Sequence, residues 1–300
     1  RESAIYLNIS DRCPLNCNFC RGGMDDDYLK NNKLIMNDET FRTVVDKCLD
    51  FGIWYYSFMC LFGEPFTDRD ILSKVNYMES KEGVRSYNIP SNIVPLTKEV
   101  TREIVKTKKL LLKVSVYGHD SESYKSFTGR DSFDKFYENL NFLYESMLAC
   151  GNKDFKVTIM MKYRAFDETF PKTPLYMLLR KMSMLDNVRI DSFEAYESNR
   201  AITDEVKMTD TSPKGGICSA SVVGIVFPNA DVGFCYFCDV YREHKMGNLI
   251  KQDLNEIYYS KDSKYRKLLL DMKDNKYNSV CSRCDFFCPI EPEAEAQLRL

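Results

Sequence analysis

One short loop constrains this chain more than any other stretch: residues 13–20, with the sequence CPLNCNFC. It follows an apolar run, residues 4–9, that predicts a β-strand. Three cysteines at this spacing on one loop can turn three sulfurs toward a common point. That arrangement supplies three ligands to a four-iron cluster and leaves one iron without a protein ligand. A substrate or cofactor can bind at such an open position, as it does at open metal sites in general.

Two other interpretations of Cys13, Cys17 and Cys20 are a zinc site and three unrelated core thiols. A structural zinc site takes four ligands, and no fourth Cys or His lies nearby in the sequence. The spacing and the position after a strand therefore favour an iron–sulfur cluster.

Composition limits the classes of partner that the chain can have. A length of 300 residues with 44% hydrophobic residues suits one large domain, or one domain with a smaller appendage. A net charge of −2 gives no basic field, so nucleic acid is not expected as a partner. No apolar run approaches the thickness of a bilayer, so a membrane span is not expected either.

The cysteines are concentrated in two groups. The second group comprises Cys218, Cys235, Cys238, Cys281, Cys284 and Cys288, so the two groups hold nine of the twelve cysteines. The start of the chain does not have the form of a signal peptide. Clustering of this kind favours metal ligation in a reducing cytoplasm over disulfide bonds.

Strands and helices alternate along the first 190 residues. The predicted strands cover residues 4–9, 53–59, 84–89, 110–117, 155–162 and 188–193. Six βα-type units predict a parallel sheet covered by helices, which right-handed crossovers curl into a closed or partial barrel. Active sites of barrels lie at the C-terminal ends of the strands, where the cysteine loop is found.

The alternation stops near residue 195. Residues 222–227 and 232–234 predict a small hairpin, and residues 253–272 predict one helix before the last cysteines. We therefore expect two domains, residues 1–195 and residues 196–300.

With both cysteine groups in view, the chain resembles the radical S-adenosylmethionine (SAM) enzymes that carry a C-terminal SPASM or shortened twitch domain. The resemblance implies an α/β fold: a partial (β/α)6 radical SAM barrel followed by a small α+β twitch/SPASM-like domain. It also implies that Cys13, Cys17 and Cys20 hold a [4Fe–4S] cluster whose open iron binds SAM. One-electron reduction in this family cleaves SAM to methionine and a 5′-deoxyadenosyl radical, which abstracts a hydrogen atom from the substrate.

Further positions resemble the SAM-binding motifs of the family. Phe62-Gly63-Glu64-Pro65 resembles its Gly-Gly-Glu-Pro motif, with Phe62 in place of the first glycine, and the motif implies a contact with the SAM amino group. The other candidate SAM contacts are Phe19 near the cluster or adenine, Ser91 and Asn92 near the ribose, and Ser115, Arg130 and Arg164 near the carboxylate. Each of these residues also has an ordinary interpretation as a turn residue, a barrel-interior hydroxyl, a packed ring or a solvated charge.

The second cysteine group resembles the twitch pattern Cys-x9–15-Gly-x4-Cys followed by Cys-x2-Cys. The resemblance implies that Cys218, Cys235, Cys281 and Cys284 hold an auxiliary [4Fe–4S] cluster, with Ala230 in place of the usual glycine. The same four thiols could also form a zinc ribbon. Cys238 and Cys288 are left over, each as an alternate ligand, a buried apolar side chain or a hydrogen-atom donor.

The leading hypothesis is a cytoplasmic radical SAM oxidoreductase or epimerase. We expect dehydrogenation or epimerisation of a small molecule of the sugar or aminocyclitol type, because a separate peptide-recognition domain is not evident in the sequence. The alternatives are maturation of a short peptide or a protein, and a zinc-binding structural protein without catalysis. The family resemblance also implies an electron donor such as flavodoxin or ferredoxin.

Overall fold

The structure is a computed structural model that describes residues 4–20, 31, 33–162, 166–193, 214–239, 241–282, 284 and 287–291. Six strands of the N-terminal part pair in parallel with their neighbours in chain order. They are β1 (Ala4–Leu7), β2 (Tyr55–Ser57), β3 (Ser86–Ser91), β4 (Leu110–Val116), β5 (Lys156–Lys162) and β6 (Val188–Phe193). The predicted parallel sheet of six strands is confirmed.

Six helices lie on the connections between these strands or beside them. They are α1 (Asp38–Asp50), α2 (Ile71–Ser80), α3 (Lys98–Ile104), α4 (Ser121–Thr128), α5 (Phe133–Cys150) and α6 (Pro174–Met182). Side chains that cap helices mark several of the starts: the Asn37 side chain accepts a hydrogen bond from Thr40 N, and the Thr97 side chain accepts one from Val100 N.

The two faces of the sheet differ in polarity because side chains alternate along each strand. Apolar residues such as Ile5, Tyr56 and Tyr87 are fully buried on the face that the helices cover. There Phe58, just after β2, packs edge-on against Phe41 of α1, with ring centroids 5.5 Å apart. The opposite face, which we call the inner face, carries Tyr6, Ser57, Asn88, Lys113, Ser115 and Lys162, as the strand registers show.

Three short strands of the C-terminal part extend the same sheet past β1. They are β7 (Ile225–Val226), β8 (Asp231–Gly233) and β9 (Lys245–Asn248), and β7 pairs in parallel with β1. The predicted hairpin is confirmed, since β7 and β8 are antiparallel. Its turn contains Ala230 at a φ of +64°, the left-handed conformation that favours glycine, which explains why the family pattern has a glycine at this position.

The remaining helices correct one prediction. They are α7 (Ser219–Val222), α8 (Leu254–Tyr259), α9 (Lys264–Lys273) and α10 (Ser279–Ser282). The single helix predicted at residues 253–272 is wrong, because the chain leaves the helical conformation at Ser260 and restarts at Ser263. The Ser263 hydroxyl caps α9 by accepting from Arg266 N and donates to Ile257 O at 2.6 Å, so it satisfies groups at both broken ends.

Two side-chain contacts join the C-terminal part to the strand and loop that lead to the first cysteines. The Tyr6 and Tyr236 rings stack with centroids 4.0 Å apart. Asp11 forms a buried ion pair with Arg242, with 2.5 Å between Oδ2 and the guanidinium nitrogen. Burial raises the pKa of Asp11 despite the attraction of Arg242, so the pair is held in a poorly solvated place.

The domain boundary expected at residues 195–196 lies outside the described residues and stays a prediction. Among the residues that the structure describes, no helix is both long and apolar enough to cross a bilayer.

Candidate active site

The first cysteine loop lies directly after β1, at the C-terminal edge of the parallel sheet. The middle of the loop is fixed to α4, because Asn16 N donates to Thr128 O at 2.8 Å and Asn18 N donates to Phe127 O at 3.0 Å. Cys17 is buried, and Cys13 and Cys20 are half-buried. The structure therefore brings the three predicted ligands together where the sequence analysis expected an active site.

The environment of these thiols suits a bound cation. Burial, together with smaller contributions from the nearby Glu64 and Cys20, raises the pKa of Cys13 to about 12. Burial likewise raises the pKa of Cys17, with Cys20 and Cys13 adding to the effect. Three cysteines on one loop supply the number of protein ligands that a SAM-binding four-iron cluster takes, and a bound metal deprotonates its thiol ligands outright.

The Gly63 backbone lies against Ser10, in the segment between β1 and the cysteine loop. A β-carbon added at Gly63 would lie 1.9 Å from the carbonyl oxygen of Ser10, which belongs to the backbone and cannot move aside cheaply. The next residue is also attached there, since Glu64 N donates to Arg12 O at 2.7 Å. The turn that resembles the Gly-Gly-Glu-Pro motif is thus packed directly on the cysteine loop.

We expect Gly63→Ala to destabilise the protein by about 2 kcal/mol or more, because the added methyl group forces the two backbones apart. Gly215→Ala is the matched control, since a β-carbon at Gly215 meets nothing within 4 Å. Thermal unfolding of both variants checks this, and equal melting temperatures for the two would contradict it.

Glu64 connects this turn to the end of β3. Its side chain is buried and accepts hydrogen bonds from the Ser91 hydroxyl and from Asn92 N, each at 2.7 Å. Burial raises the pKa of Glu64 to about 7. The Asn92 amide nitrogen in turn lies 3.6 Å from Cys13 Sγ. Three of the predicted SAM contacts, Glu64, Ser91 and Asn92, therefore meet beside the first cysteine.

A strained residue follows this network. Ile93 has a φ of +53°, a left-handed conformation that costs a β-branched residue on the order of 1–2 kcal/mol. Its N–H donates to the Ser91 hydroxyl and its carbonyl accepts from Asn139 of α5, both at 2.7 Å. These bonds hold the turn that presents Asn92 to Cys13.

Glu64→Gln should destabilise the protein by about 1–3 kcal/mol, because the amide nitrogen would replace one of the two oxygens that accept from Ser91 and Asn92. Glu79→Gln is the control. Glu79 also accepts from two backbone N–H groups, those of Lys108 and Lys109, but it is only half-buried and lies away from the cysteines. Denaturant unfolding of the two variants compares them, and a larger effect of Glu79→Gln would argue against this role of Glu64.

The remaining predicted SAM contacts lie in different surroundings. Ser115 is buried on the inner face, and Phe19 packs against Tyr117 with ring centroids 5.3 Å apart. Arg130 is exposed just after α4. Arg164 lies outside the described residues.

The sequence analysis missed Lys162, the last residue of β5. Its ammonium group lies 5.9 Å from the Phe19 ring centroid and 6.0 Å from that of Tyr117. Burial lowers the pKa of Lys162 to about 7, and Cys17 counteracts part of this effect. The only sequence signal was a lysine at the end of an apolar strand, which is also an ordinary way for a strand to end.

The second cysteine group surrounds a cavity of about 20 Å³, which we call the auxiliary cavity. Its lining includes five cysteines: Cys218, Cys235, Cys238, Cys281 and Cys284. Apolar side chains such as Phe234, Val280 and Phe287 complete the lining. Cys288 is exposed. The four cysteines of the predicted auxiliary cluster are thus brought together from segments up to 66 residues apart, with Cys238 as a fifth.

Cys235 and Cys238 form a Cys-x2-Cys turn that the sequence analysis did not single out. The N–H groups of Phe237 and Cys238 both donate to Cys235 Sγ at 3.3 Å. The Cys238 thiol and these backbone donors lower the pKa of Cys235 to about 7. Hydrogen bonds that stabilise a thiolate prepare it for metal ligation. Across the described residues, however, no three His, Cys, Asp or Glu side chains are close enough together to hold a single metal ion.

Two family models match the chain, and each covers one of the two groups of cysteines. Residues 7–173 match the radical SAM superfamily, and residues 218–285 match the SPASM iron–sulfur cluster-binding domain. The chain belongs to the radical SAM superfamily. Its cofactors are SAM and [4Fe–4S] clusters. The family match therefore favours iron–sulfur clusters over the alternative of a zinc site.

Individual relatives are distant. Probable GTP 3′,8-cyclase of Saccharolobus islandicus is 22% identical over 262 residues, which cover 82% of this chain and 80% of the relative. Among solved structures, BtrN in complex with AdoMet and 2-DOIA has a TM-score of 0.59 at 15% identity, covering 95% of this chain and 93% of BtrN. Native anSMEcpe with bound AdoMet has a TM-score of 0.63 at 13% identity, and the match covers 95% of this chain and 89% of anSMEcpe. These structures confirm the predicted fold class.

Proposed function

We propose that this radical SAM enzyme oxidises a small polar molecule of the sugar or aminocyclitol type. The observation that carries the proposal is the polarity of the inner face, onto which the C-terminal cysteine segment packs through the Tyr6–Tyr236 stack. A polar surface of this kind suits a substrate with several hydroxyl or amino groups.

The inner face offers donors and acceptors on successive strands. The Ser57 hydroxyl donates to Asn88 Oδ1 at 2.8 Å, and Asn88 Nδ2 donates to the Tyr55 hydroxyl. Lys113 and Lys162 add two ammonium groups on the next two strands. Groups fixed in this way on a rigid sheet can orient a substrate C–H bond without reorganisation of the site.

In this proposal Cys13, Cys17 and Cys20 hold the cluster that binds SAM, and Glu64, Asn92 and Ser115 position SAM beside it. The bound cofactors supply a radical that abstracts hydrogen. Cys218, Cys235, Cys281 and Cys284 would hold the auxiliary cluster, which would supply an acceptor for the second electron of a dehydrogenation. The substrate then loses one hydrogen atom, one electron and one proton, the sum of a two-electron oxidation. A cytoplasmic flavodoxin or ferredoxin would supply the electron for SAM cleavage and would take back the electron that the auxiliary cluster received.

Mass spectrometry of turnovers in ordinary and in deuterated water tests the proposal. Polyhydroxylated amino compounds are supplied with SAM and dithionite under anaerobic conditions. A product two hydrogens lighter than the substrate supports dehydrogenation. Epimerisation would instead give a product of unchanged mass in ordinary water and a product with one deuterium on carbon in deuterated water. Cys238 and Cys288 would then be the candidate hydrogen donors. SAM consumption that no such compound stimulates would contradict this substrate class.

A second candidate function is peptide maturation. It is favoured by two of the similar structures, since anSMEcpe was solved with the Cp18Cys peptide and Streptococcus suis SuiB with the precursor peptide SuiA. Anaerobic binding of short peptides encoded beside the gene distinguishes the two functions, because a small-molecule enzyme should bind none of them.

A further inference from the structure

Charge is distributed unevenly on the inner face of the sheet. Within the bounds of β1 to β6, all of which the structure describes, the inner-face positions carry four cationic side chains and a single carboxylate. These are Lys113, Lys156, Lys162, Arg189 and Asp191, as the strand registers show. The whole chain has a net charge of −2, so the excess of cations is local to this face. A surface lined mainly by one sign of charge attracts ligands of the opposite sign.

The carboxylate of the inner face is already paired. Asp191 Oδ1 lies 2.5 Å from Nε of Arg189, on the strand at the edge of the sheet. This ion pair leaves three lysines as the excess charge. Lys156 is exposed at the start of β5, and Lys162 lies beside Phe19 of the cysteine loop. Lys113 is half-buried in the middle of β4, so it is the cation at the centre of the face.

The Lys113 ammonium makes no ion pair with any carboxylate among the residues that the structure describes. Burial lowers the pKa of Lys113, and the attraction of Asp191 counteracts only part of this effect. Burial removes part of the water that would otherwise solvate the ammonium group. A ligand that brings negative charge to this position would therefore replace the lost solvation.

Lys113 lies farther from the cysteine loop than the predicted SAM contacts do. It is in register with Pro90 of β3, and Ser91, Asn92 and Ser115 follow along the same two strands toward the loop. Each residue advances a strand by about 3.3 Å, so Ser115 is about 7 Å nearer to that edge than Lys113 is. SAM held by those residues and a ligand held by Lys113 therefore need not compete for one position.

We propose that the substrate oxidised at this site carries an anionic group, a carboxylate or a phosphate, and that the Lys113 ammonium binds this group. The inference rests on the proposed function, since it concerns the substrate of the same site. It selects an acidic or phosphorylated sugar over a cationic aminocyclitol. A protonated amino group would be repelled by the cations of the inner face, and like charges brought together disfavour the wrong ligand.

The test compares compounds that share one ring and differ in charge. Glucose, glucosamine, glucuronate and glucose 6-phosphate form one set, and myo-inositol and myo-inositol 1-phosphate form a second. Each compound is supplied with SAM and dithionite to the anaerobic holoenzyme, and formation of 5′-deoxyadenosine above the rate without the compound is measured. We expect an anionic compound to stimulate this rate about tenfold or more over the neutral and cationic members of its set. Glucuronate and glucose 6-phosphate distinguish the carboxylate from the phosphate.

Variants of Lys113 show whether this residue is responsible. Lys113→Met removes the charge and keeps an unbranched side chain, so it should raise the KM of the anionic compound about 10- to 100-fold. The KM of SAM should stay unchanged. Lys113→Arg keeps the charge and should restore most of the loss. Lys181→Met is the control, since Lys181 is an exposed lysine of α6, and it should change neither KM.

The outcomes separate this inference from the function on which it rests. Neutral or cationic compounds that stimulate as strongly as the anionic ones would overturn the inference and leave the proposed function standing. A rise in the KM of SAM instead of that of the substrate would also overturn it, because Lys113 would then bind the SAM carboxylate. No stimulation by any compound, whatever its charge, would contradict the proposed function and the inference with it. If far-ultraviolet circular dichroism shows that Lys113→Met does not fold, Lys113→Gln replaces it under the same expectations.

Discussion

Simultaneous replacement of Cys13, Cys17 and Cys20 by alanine should abolish reductive cleavage of SAM and remove about half of the iron. The physical reason is that, in the proposed function, these thiols hold one of two clusters, while the auxiliary cavity is lined by a different set of cysteines. Liquid chromatography of 5′-deoxyadenosine and iron analysis of the anaerobic protein measure the two effects. The expected loss of cleavage is complete, because the four cysteines of the proposed auxiliary cluster lie outside this loop and do not replace its thiols.

Cys48→Ala is the matched control for this variant. Cys48 is a fully buried cysteine of α1, so its replacement removes a thiol that is more buried than the three of the loop, from the helix-covered side of the sheet. Cleavage and iron content should both stay near those of the parent. A triple variant that still cleaves SAM, or that keeps all its iron, would show that another set of ligands holds the first cluster.

Arg242→Leu should lower the stability of the protein by about 3–5 kcal/mol, because it leaves a buried carboxylate without its cation. The Asp11 side chain is 0% exposed and that of Arg242 is 12% exposed. The remaining donors to Asp11 are Asn8 Nδ2 at 2.8 Å and Leu34 N at 3.4 Å, and neither carries a charge. Arg242 also stacks on Phe227, 4.5 Å from the ring centroid, so packing is lost as well.

Thermal unfolding measures this effect, with an expected decrease in Tm of about 10 °C. Asp11→Asn/Arg242→Leu should recover part of the loss, because it removes the unpaired charge. Lys106→Leu is the control, since it breaks the exposed Lys106–Glu103 pair, which should contribute little. A Tm of Arg242→Leu equal to that of Lys106→Leu would mean that the buried pair does not stabilise the junction.

Local patterns were sufficient to predict the barrel. Each of the six strands combines apolar or alternating residues with a nearby turn or cap, and β6 has the predicted bounds, residues 188–193. The cap at Asn37 and the left-handed turn residue at Gly52 likewise depend on neighbours in the sequence. Signals of this kind require only a few consecutive residues.

Long-range contacts could not be predicted in the same way. The strand β7 is only two residues long, and its pairing with β1 depends on residues more than 200 positions apart. The contact between Cys238 and Cys284 and the hydrogen bond from Asn139 to Ile93 also connect distant segments. A lysine such as Lys162 gives no sign in the sequence that folding will bury it.

The position of β1 in the sheet has one more consequence. Its backbone bonds to β2 on one edge and to β7 on the other, where Tyr6 N donates to Gly224 O at 2.9 Å and Asn8 N donates to Val226 O at 2.8 Å. Moving β7 away from β1 would require these hydrogen bonds to break. In the proposed dehydrogenation, the spacing of the two strands that carry the cysteine segments is therefore determined when the chain folds and not when a substrate arrives.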